Sequence, residues 1–221
     1  MPASEPRYSL IVFDWDGTLI DSASTIVECI QQASRDMGLE VPDRDTASHV
    51  IGLGLRDALR FAVPGLERAQ YMDFVAHYRR HFLQREEAMT LFPGISELIA
   101  ALRARGHRLA VATGKSRQGL ERALDASGLR PHFDATRCAD ETHPKPHPAM
   151  LLELLEVLCL EPTQALMIGD TSHDLEMAKS ANVSAIAVTY GAHPEASLRA
   201  LQPLALAASV PELGSWLARH A

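Results

Sequence analysis

The chain has 221 residues, of which 47% are hydrophobic, and a formal net charge of -7 at pH 7. This apolar content is enough to build one large domain, or a core that carries a smaller domain. The acidic balance argues against a general affinity for nucleic acid or for anionic membranes. A phosphate-binding site in this chain would therefore be a local region of positive charge in an otherwise acidic protein.

Cysteine usage and the N-terminal segment predict a cytoplasmic protein. The three cysteines, Cys29, Cys138 and Cys159, form no CxxC pair, which is typical of thiols in a reducing compartment rather than of a disulfide framework. The segment from Met1 to Leu10 contains a single arginine and no long apolar stretch, so no signal peptide is visible. No apolar run approaches the ~20 residues needed to span a bilayer, so we expect no membrane partner.

Short apolar runs rich in β-branched residues predict a parallel sheet that is buried on both faces. The clearest strands are expected at residues 8–13, 107–112, 165–168 and 184–188, with a weaker one at 133–138 and an edge strand at 204–208. Amphipathic helical patterns cover residues 95–102, 116–127, 148–160, 172–181 and 211–220. This alternation predicts an α/β fold with a doubly wound parallel sheet.

One long segment interrupts the alternation of strands and helices. From residue 22 to about residue 88 the pattern favours helix after helix, with apolar positions such as Ile26 and Ile30, or Phe74 and Tyr78, on single helical faces. The segment follows the first strand and ends where Leu-Phe-Pro-Gly resumes the sheet pattern. We therefore predict an α/β core of residues 1–20 and 89–221 with a small all-helical cap of residues 21–88.

Polar residues follow the predicted strands at the points where open parallel sheets bind ligands. Because these strand ends meet at one edge of the sheet, we expect the polar side chains to converge on one crevice. The set comprises Asp14, Asp16, Thr113, Gly114, Lys115, Lys145, Asp170 and Asp174.

This set of groups fits phosphoryl transfer. Mg²⁺ prefers oxygen ligands, and Asp14, Asp170 and a backbone carbonyl could hold it. Lys145 and Thr113 would stabilise the phosphate oxygens, and free amide groups from Thr113 onward could face them too. Of the two closely spaced aspartates, one can attack phosphorus and the other can donate a proton to the leaving oxygen.

Four motifs in order carry a resemblance to a known family. The run Asp14-Trp15-Asp16-Gly17-Thr18-Leu19 resembles the first motif of the haloacid dehalogenase superfamily. Residues 112–115, Lys145 and residues 169–174 resemble its second, third and fourth motifs. The helical insertion that ends in Leu-Phe-Pro-Gly resembles the small cap of the phosphoglycolate phosphatase-like branch. One departure is Asn182, at a position where the family usually has glycine and where asparagine should tolerate the left-handed conformation.

The resemblance implies a Rossmann-like core and a Mg²⁺-dependent phosphatase that acts on a small phosphorylated metabolite. It implies that Asp14 is the nucleophile and Asp16 the acid and base. It further implies that Asp14, the carbonyl of Asp16 and Asp170 bind Mg²⁺, with Asp174 supporting them, and that Thr113 and Lys145 bind phosphate. Lys115 receives no firm role from the resemblance.

Residues outside these motifs are harder to interpret. Arg56 is a candidate cap contact to a substrate carboxylate, although lone arginines are usually solvated. Three histidines near the motifs, His143, His147 and His173, have no metal-ligand spacing such as HxH or HExxH, so we expect them to be bystanders.

Three alternatives remain open on the sequence. A sugar phosphomutase of the same fold would use the same groups. A receiver module phosphorylated on aspartate shares clustered acids, a hydroxyl and a lysine, but such modules are shorter and have no helical insertion. A non-catalytic regulator is the third, although every catalytic group is present in this chain.

Overall fold

The computed structural model describes residues 7–86 and 88–221. Over these residues the chain forms six strands, ten α-helices and three short 3₁₀-helices. The first six residues of the predicted core segment and residue 87 of the predicted cap lie outside the described residues.

The strands form one fully parallel sheet, which confirms the predicted α/β class. Its spatial order is β3-β2-β1-β4-β5-β6. The bounds are β1 Leu10–Phe13, β2 Arg108–Thr113, β3 Ala135–Cys138, β4 Ala165–Gly169, β5 Ser184–Val188 and β6 Leu206–Ala207. The two weakest predictions, at 133–138 and 204–208, are the two edges of the sheet, where burial is least complete and the apolar signal is weakest.

Helices cover both faces of the sheet. The six in the α/β region are α5 Ile95–Ala104, α6 Arg117–Ser127, α7 Ala149–Leu158, α8 Ser172–Ser180, α9 Glu195–Ala200 and α10 Val210–His220. Alternate residues of β1 point to opposite faces: Ile11 and Phe13 pack in a cluster with α5, α6 and α10, and Leu10 and Val12 pack in another with α7 and α8. None of the helices that the structure describes is long and apolar enough to cross a bilayer.

The insertion after β1 is helical, as predicted. It contains α1 Ala23–Asp36, α2 Arg44–His49, α3 Leu55–Ala62 and α4 Tyr71–Glu86. These helices bury a hydrophobic cluster of their own, which includes Ile30, Leu59 and Phe74 and is separate from the clusters on the sheet. The separate cluster supports our proposal that residues 21–88 form a cap domain on a core of residues 1–20 and 89–221.

Asn182 adopts the left-handed backbone conformation, as expected at a position where the family usually has glycine. It follows α8 with a φ of 55°, in the left-handed region. Asparagine tolerates this conformation better than most residues, so the chain turns here toward β5 without glycine.

Candidate active site

Asp14 lies at the centre of the sheet, directly after β1. Its backbone N–H donates to the carbonyl of Ile168 at 2.9 Å, and its side chain is fully buried. The chain then turns at Gly17, where φ is +78° and an added Cβ would lie 2.2 Å from Oδ2 of Asp170. Only glycine both accepts this φ and leaves room for the neighbouring carboxylate.

Asp170 follows β4 and is held by two other segments of the chain. Its Oδ1 accepts a hydrogen bond from the Thr18 hydroxyl at 2.7 Å, and its Oδ2 accepts one from the N–H of Ala192 at 2.7 Å. Gly191 packs so closely that an added Cβ would lie 2.3 Å from this carboxylate. The pKa of Asp170 is raised to about 7, mainly by burial and to a smaller extent by the negative charge of Asp174.

Asp174 is fixed in the first turn of α8. Thr171 is the N-cap of this helix, and Oδ2 of Asp174 accepts from its N–H at 3.1 Å and from its hydroxyl at 2.7 Å. This reciprocal capping leaves Oδ1 of Asp174 directed toward the centre of the site.

Lys145 brings a buried positive charge between two carboxylates. Its Nζ lies 2.7 Å from Oδ1 of Asp14 and 2.6 Å from Oδ1 of Asp174, and its side chain is fully buried. Burial alone lowers the pKa of the Lys145 ammonium, but the two carboxylates outweigh burial and raise it above its ordinary value. Lys145 is therefore charged and acts as the counter-ion of this cluster.

The cluster fits a divalent cation. Carboxylate oxygens of Asp14, Asp170 and Asp174 lie within 4.8 Å of one another, and when all three are ionised their formal charge of -3 exceeds the single positive charge of Lys145. Burial, opposed by Lys145, raises the pKa of Asp14 well above its usual range. Oδ2 of Asp14 is buried and has no hydrogen-bond partner among the described residues. An orphaned buried carboxylate oxygen in an anionic pocket is a suitable ligand for a hard cation.

Asp16 lies on the other side of the turn and faces the cap. Its Oδ1 accepts from the hydroxyl of Ser22 at 2.7 Å and lies 3.1 Å from Nζ of Lys115. The same ammonium lies 4.7 Å from the ring centroid of Phe82, on cap helix α4. Lys115, which lies in the second motif but receives no firm role from the resemblance, thus contacts both the second aspartate and the cap.

Thr113 and Gly114 lie where β2 ends beneath the cap. Thr113 is fully buried and its Oγ1 accepts from the N–H of Lys115 at 3.2 Å. The N-cap of α6 is Ser116, whose Oγ accepts from the N–H of Gly119, so Thr113 does not cap this helix. A Cβ on Gly114 would lie 2.6 Å from the carbonyl oxygens of cap residues 52 and 53, so the cap loop touches the core here.

A cavity of about 320 Å³ lies between the cap and the core and reaches Asp16. Its core side includes Gly114 and Lys115. Arg56, the candidate cap contact, is exposed on α3 and does not line this cavity, although its neighbour Leu55 does. The cap arginine that does line the cavity is Arg79 of α4.

A histidine cluster joins the cap to the core. Nδ1 of His193 accepts from the N–H of Ser172 at 3.0 Å, so its Nε2 carries the proton and donates to the carbonyl of His49 at 3.1 Å. Nε2 of His173 lies 2.8 Å from the same carbonyl oxygen, which can only accept. Burial lowers the pKa of His173, and burial and His173 lower that of His193 to about 4. These rings are neutral donors to the cap backbone, and in His193 both ring nitrogens are engaged.

The structure brings the predicted residues together and adds several that the motifs did not indicate. Lys145 contacts Asp14 and Asp174, carboxylate oxygens of these two and of Asp170 lie within 4.8 Å of one another, and Asp16 faces the cavity. Missed contributors are Ser22, Ala192 and His193. Ala192 acts through its backbone N–H and has no signal in its side chain, whereas Lys115 was part of the second motif and gains its contact with Asp16 from the structure.

A parallel sheet with buried carboxylates and a lysine at its carboxyl edge, closed by a helical cap, defines a Rossmann-like enzyme core with a helical insertion over its site. The family of haloacid dehalogenase-like hydrolases matches residues 11–188 of this chain. The chain therefore belongs to the haloacid dehalogenase-like hydrolases.

Individual relatives place the chain in the phosphatase part of this family. It is 38% identical over 200 residues to the probable phosphatase IndB of Dickeya dadantii, which covers 88% of this chain and 86% of that protein. It is 33% identical over 184 residues to a phosphoglycolate phosphatase of Aquifex aeolicus, with 82% and 85% covered. A solved haloacid dehalogenase-like hydrolase of Streptococcus pneumoniae has a TM-score of 0.81 at 25% identity, with 95% and 98% covered. This chain is a phosphoric monoester hydrolase of the phosphoglycolate phosphatase-like branch.

Proposed function

We propose that this enzyme is a cytoplasmic, Mg²⁺-dependent phosphatase that hydrolyses a small phosphate monoester, phosphoglycolate or a related metabolite, through an aspartyl-phosphate on Asp14. The observation that carries the proposal is the state of the Asp14 carboxylate. It is fully buried, one oxygen is paired with Lys145, and the other has no hydrogen-bond partner among the described residues. Lys145 holds this carboxylate at the edge of the sheet, where one of its oxygens could bind Mg²⁺ and the other could attack phosphorus.

The metal site in this proposal comprises Asp14, the carbonyl of Asp16 and Asp170, with Asp174 in support. Bound Mg²⁺ would offset the repulsion between a phosphate and the anionic cluster. Thr18 and Ala192 orient Asp170, and Thr171 orients Asp174. Lys145 and Thr113 would hold phosphate oxygens, with Gly114 and Lys115 contributing from the same turn.

Metal dependence is the direct test of this function. With Mg²⁺ we expect release of inorganic phosphate from simple monoesters, and with EDTA we expect none. Ca²⁺ accepts six to eight oxygens and readily takes a carboxylate through both of its oxygens, so it should compete with Mg²⁺ and support little turnover. Phosphate release is measured without added sugar bisphosphate, which a phosphomutase would need as a phosphoryl donor. If EDTA left the rate unchanged, or if no monoester released phosphate, the proposal would be wrong.

Asp16 is proposed as the acid that protonates the leaving group and the base that then activates water. It borders the cavity, and its Oδ1 is held by Ser22 and Lys115. We expect Asp16→Asn to slow the hydrolysis of alkyl phosphates by roughly 10²- to 10⁴-fold, because their poor leaving groups need protonation. Esters of acidic phenols should be affected far less. An equal loss for the two ester types would mean that Asp16 has a structural role only.

A further inference from the structure

The cap contributes an apolar wall to the cavity. Side chains of α1, of the α2–α3 loop and of α4 form this wall, among them Ile26, Ile30, Val50, Ile51 and Phe82. The opposite wall belongs to the core and reaches Asp16, which in the proposed function protonates the leaving group. The part of the substrate that leaves as an alcohol would therefore lie against the apolar wall.

The cations around the cavity are poorly placed to receive a second negative charge on the substrate. Arg79 lines the cap side but is exposed. Arg122 is exposed and lies 3.2 Å from the carboxylate of Glu86, and Lys115 lies 3.1 Å from that of Asp16. A carboxylate on the leaving group would lose water against aliphatic side chains, and among the described residues the one largely buried cation that lines the cavity, Lys115, is already paired with Asp16, so this burial is unfavourable.

The size of the cavity also favours a bulky, apolar leaving group. Its volume of about 320 Å³ lies within the range of pockets that hold ring-containing small molecules. A two-carbon acid would leave much of the apolar wall uncovered, whereas a ring would cover it and remove that surface from water.

We propose, building on the phosphatase function above, that the preferred substrates are phosphate monoesters whose alcohol part is bulky, uncharged and mainly apolar. The apolar wall of the cap selects this group, and the core recognises the phosphate. This inference keeps the Mg²⁺-dependent phosphatase of the proposed function and replaces phosphoglycolate, as its preferred substrate, with bulkier and more apolar esters.

The test compares three monoesters of primary alcohols on the Mg²⁺-loaded enzyme: 2-phenylethyl phosphate, ethyl phosphate and phosphoglycolate. In each ester the bond that breaks joins phosphorus to the oxygen of a primary alcohol. Differences in kcat/KM therefore report mainly on the group that lies in the cavity. We expect kcat/KM for 2-phenylethyl phosphate to exceed that for the other two by about 10- to 100-fold, as expected from burying one aromatic ring. If ethyl phosphate or phosphoglycolate is hydrolysed equally well or better, the inference is wrong and the phosphatase function stands. If none of these esters, nor any other, releases phosphate, the proposed function itself fails.

A matched pair of valines tests whether the cap wall carries the preference. Val50 and Val63 are each 2% exposed, follow cap helices α2 and α3, and belong to one hydrophobic cluster, but only Val50 lines the cavity. Val50→Thr should lower kcat/KM for 2-phenylethyl phosphate by about five- to tenfold and that for ethyl phosphate by less than about twofold. Val63→Thr should leave the ratio of the two unchanged. If both variants fold and have the same ratio of kcat/KM for 2-phenylethyl phosphate to kcat/KM for ethyl phosphate, the cap wall does not carry the preference. If either variant does not fold, the comparison of the three esters on the wild-type enzyme still tests the proposal.

Discussion

Asp14→Asn is expected to lower the rate of phosphate release by at least about 10⁴-fold. The substitution is nearly isosteric, but an amide oxygen is a poor nucleophile, and the cluster loses one of its three buried carboxylates. Acid-quenched reactions of the wild-type enzyme should contain an acyl phosphate on the peptide that includes Asp14. Mass spectrometry of the digested protein measures it, and the variant should show none.

The control for this variant is Asp21→Asn, which removes a carboxylate from an exposed residue close to the site in sequence. We expect it to keep nearly wild-type turnover, so a general effect of lost charge can be separated from loss of the nucleophile. Appreciable activity in Asp14→Asn, or an acyl phosphate on a peptide without Asp14, would contradict the assignment.

Lys145→Met should have the largest effect on stability. The lysine is the counter-ion for Asp14 and Asp174, at 2.7 and 2.6 Å, and all three side chains are buried. Removing one partner of a buried ionic group leaves charge without compensation, which costs about 3–5 kcal/mol of unfolding free energy. Urea unfolding in EDTA measures this loss, and Mg²⁺ should recover part of it because the cation compensates the same carboxylates.

The matched control is Lys179→Met, at an exposed position on α8. Its unfolding free energy should stay within about 0.5 kcal/mol of the wild type, as is usual for surface substitutions. If the two lysine variants had similar stability in EDTA, the ion pairs of Lys145 would contribute far less than its burial indicates.

Much of the core could be predicted because its signals are local. Four strands are continuous apolar runs, since a parallel strand covered on both faces needs apolar residues at every position. The site aspartates follow such runs directly, and the ends of parallel strands meet at one edge. The short helix α9 had no predictable signal, because its six residues contain a single buried position, Leu198.

The cavity between the cap and the core was harder to predict, because the residues that line it are far apart in the sequence. Arg56 stays a candidate for contacting substrate, but it is exposed on α3, and the cap arginine that lines the cavity is Arg79, which no motif indicated. The contact of Lys115 with Asp16 also depends on where the end of β2 lies relative to β1.

The sequence by itself determined the α/β class, the helical insertion after β1 and the identity of the carboxylates and the lysine at the site. These follow from periodicity and from residue types at strand ends, which are properties of short segments. Tertiary structure alone decided that the Ala192 amide orients Asp170, that Lys145 joins Asp14 to Asp174, and that an apolar cap wall closes over Asp16. The physical reason is that these are distance-dependent interactions between segments far apart in the chain, and their geometry exists only after the sheet and the cap have packed.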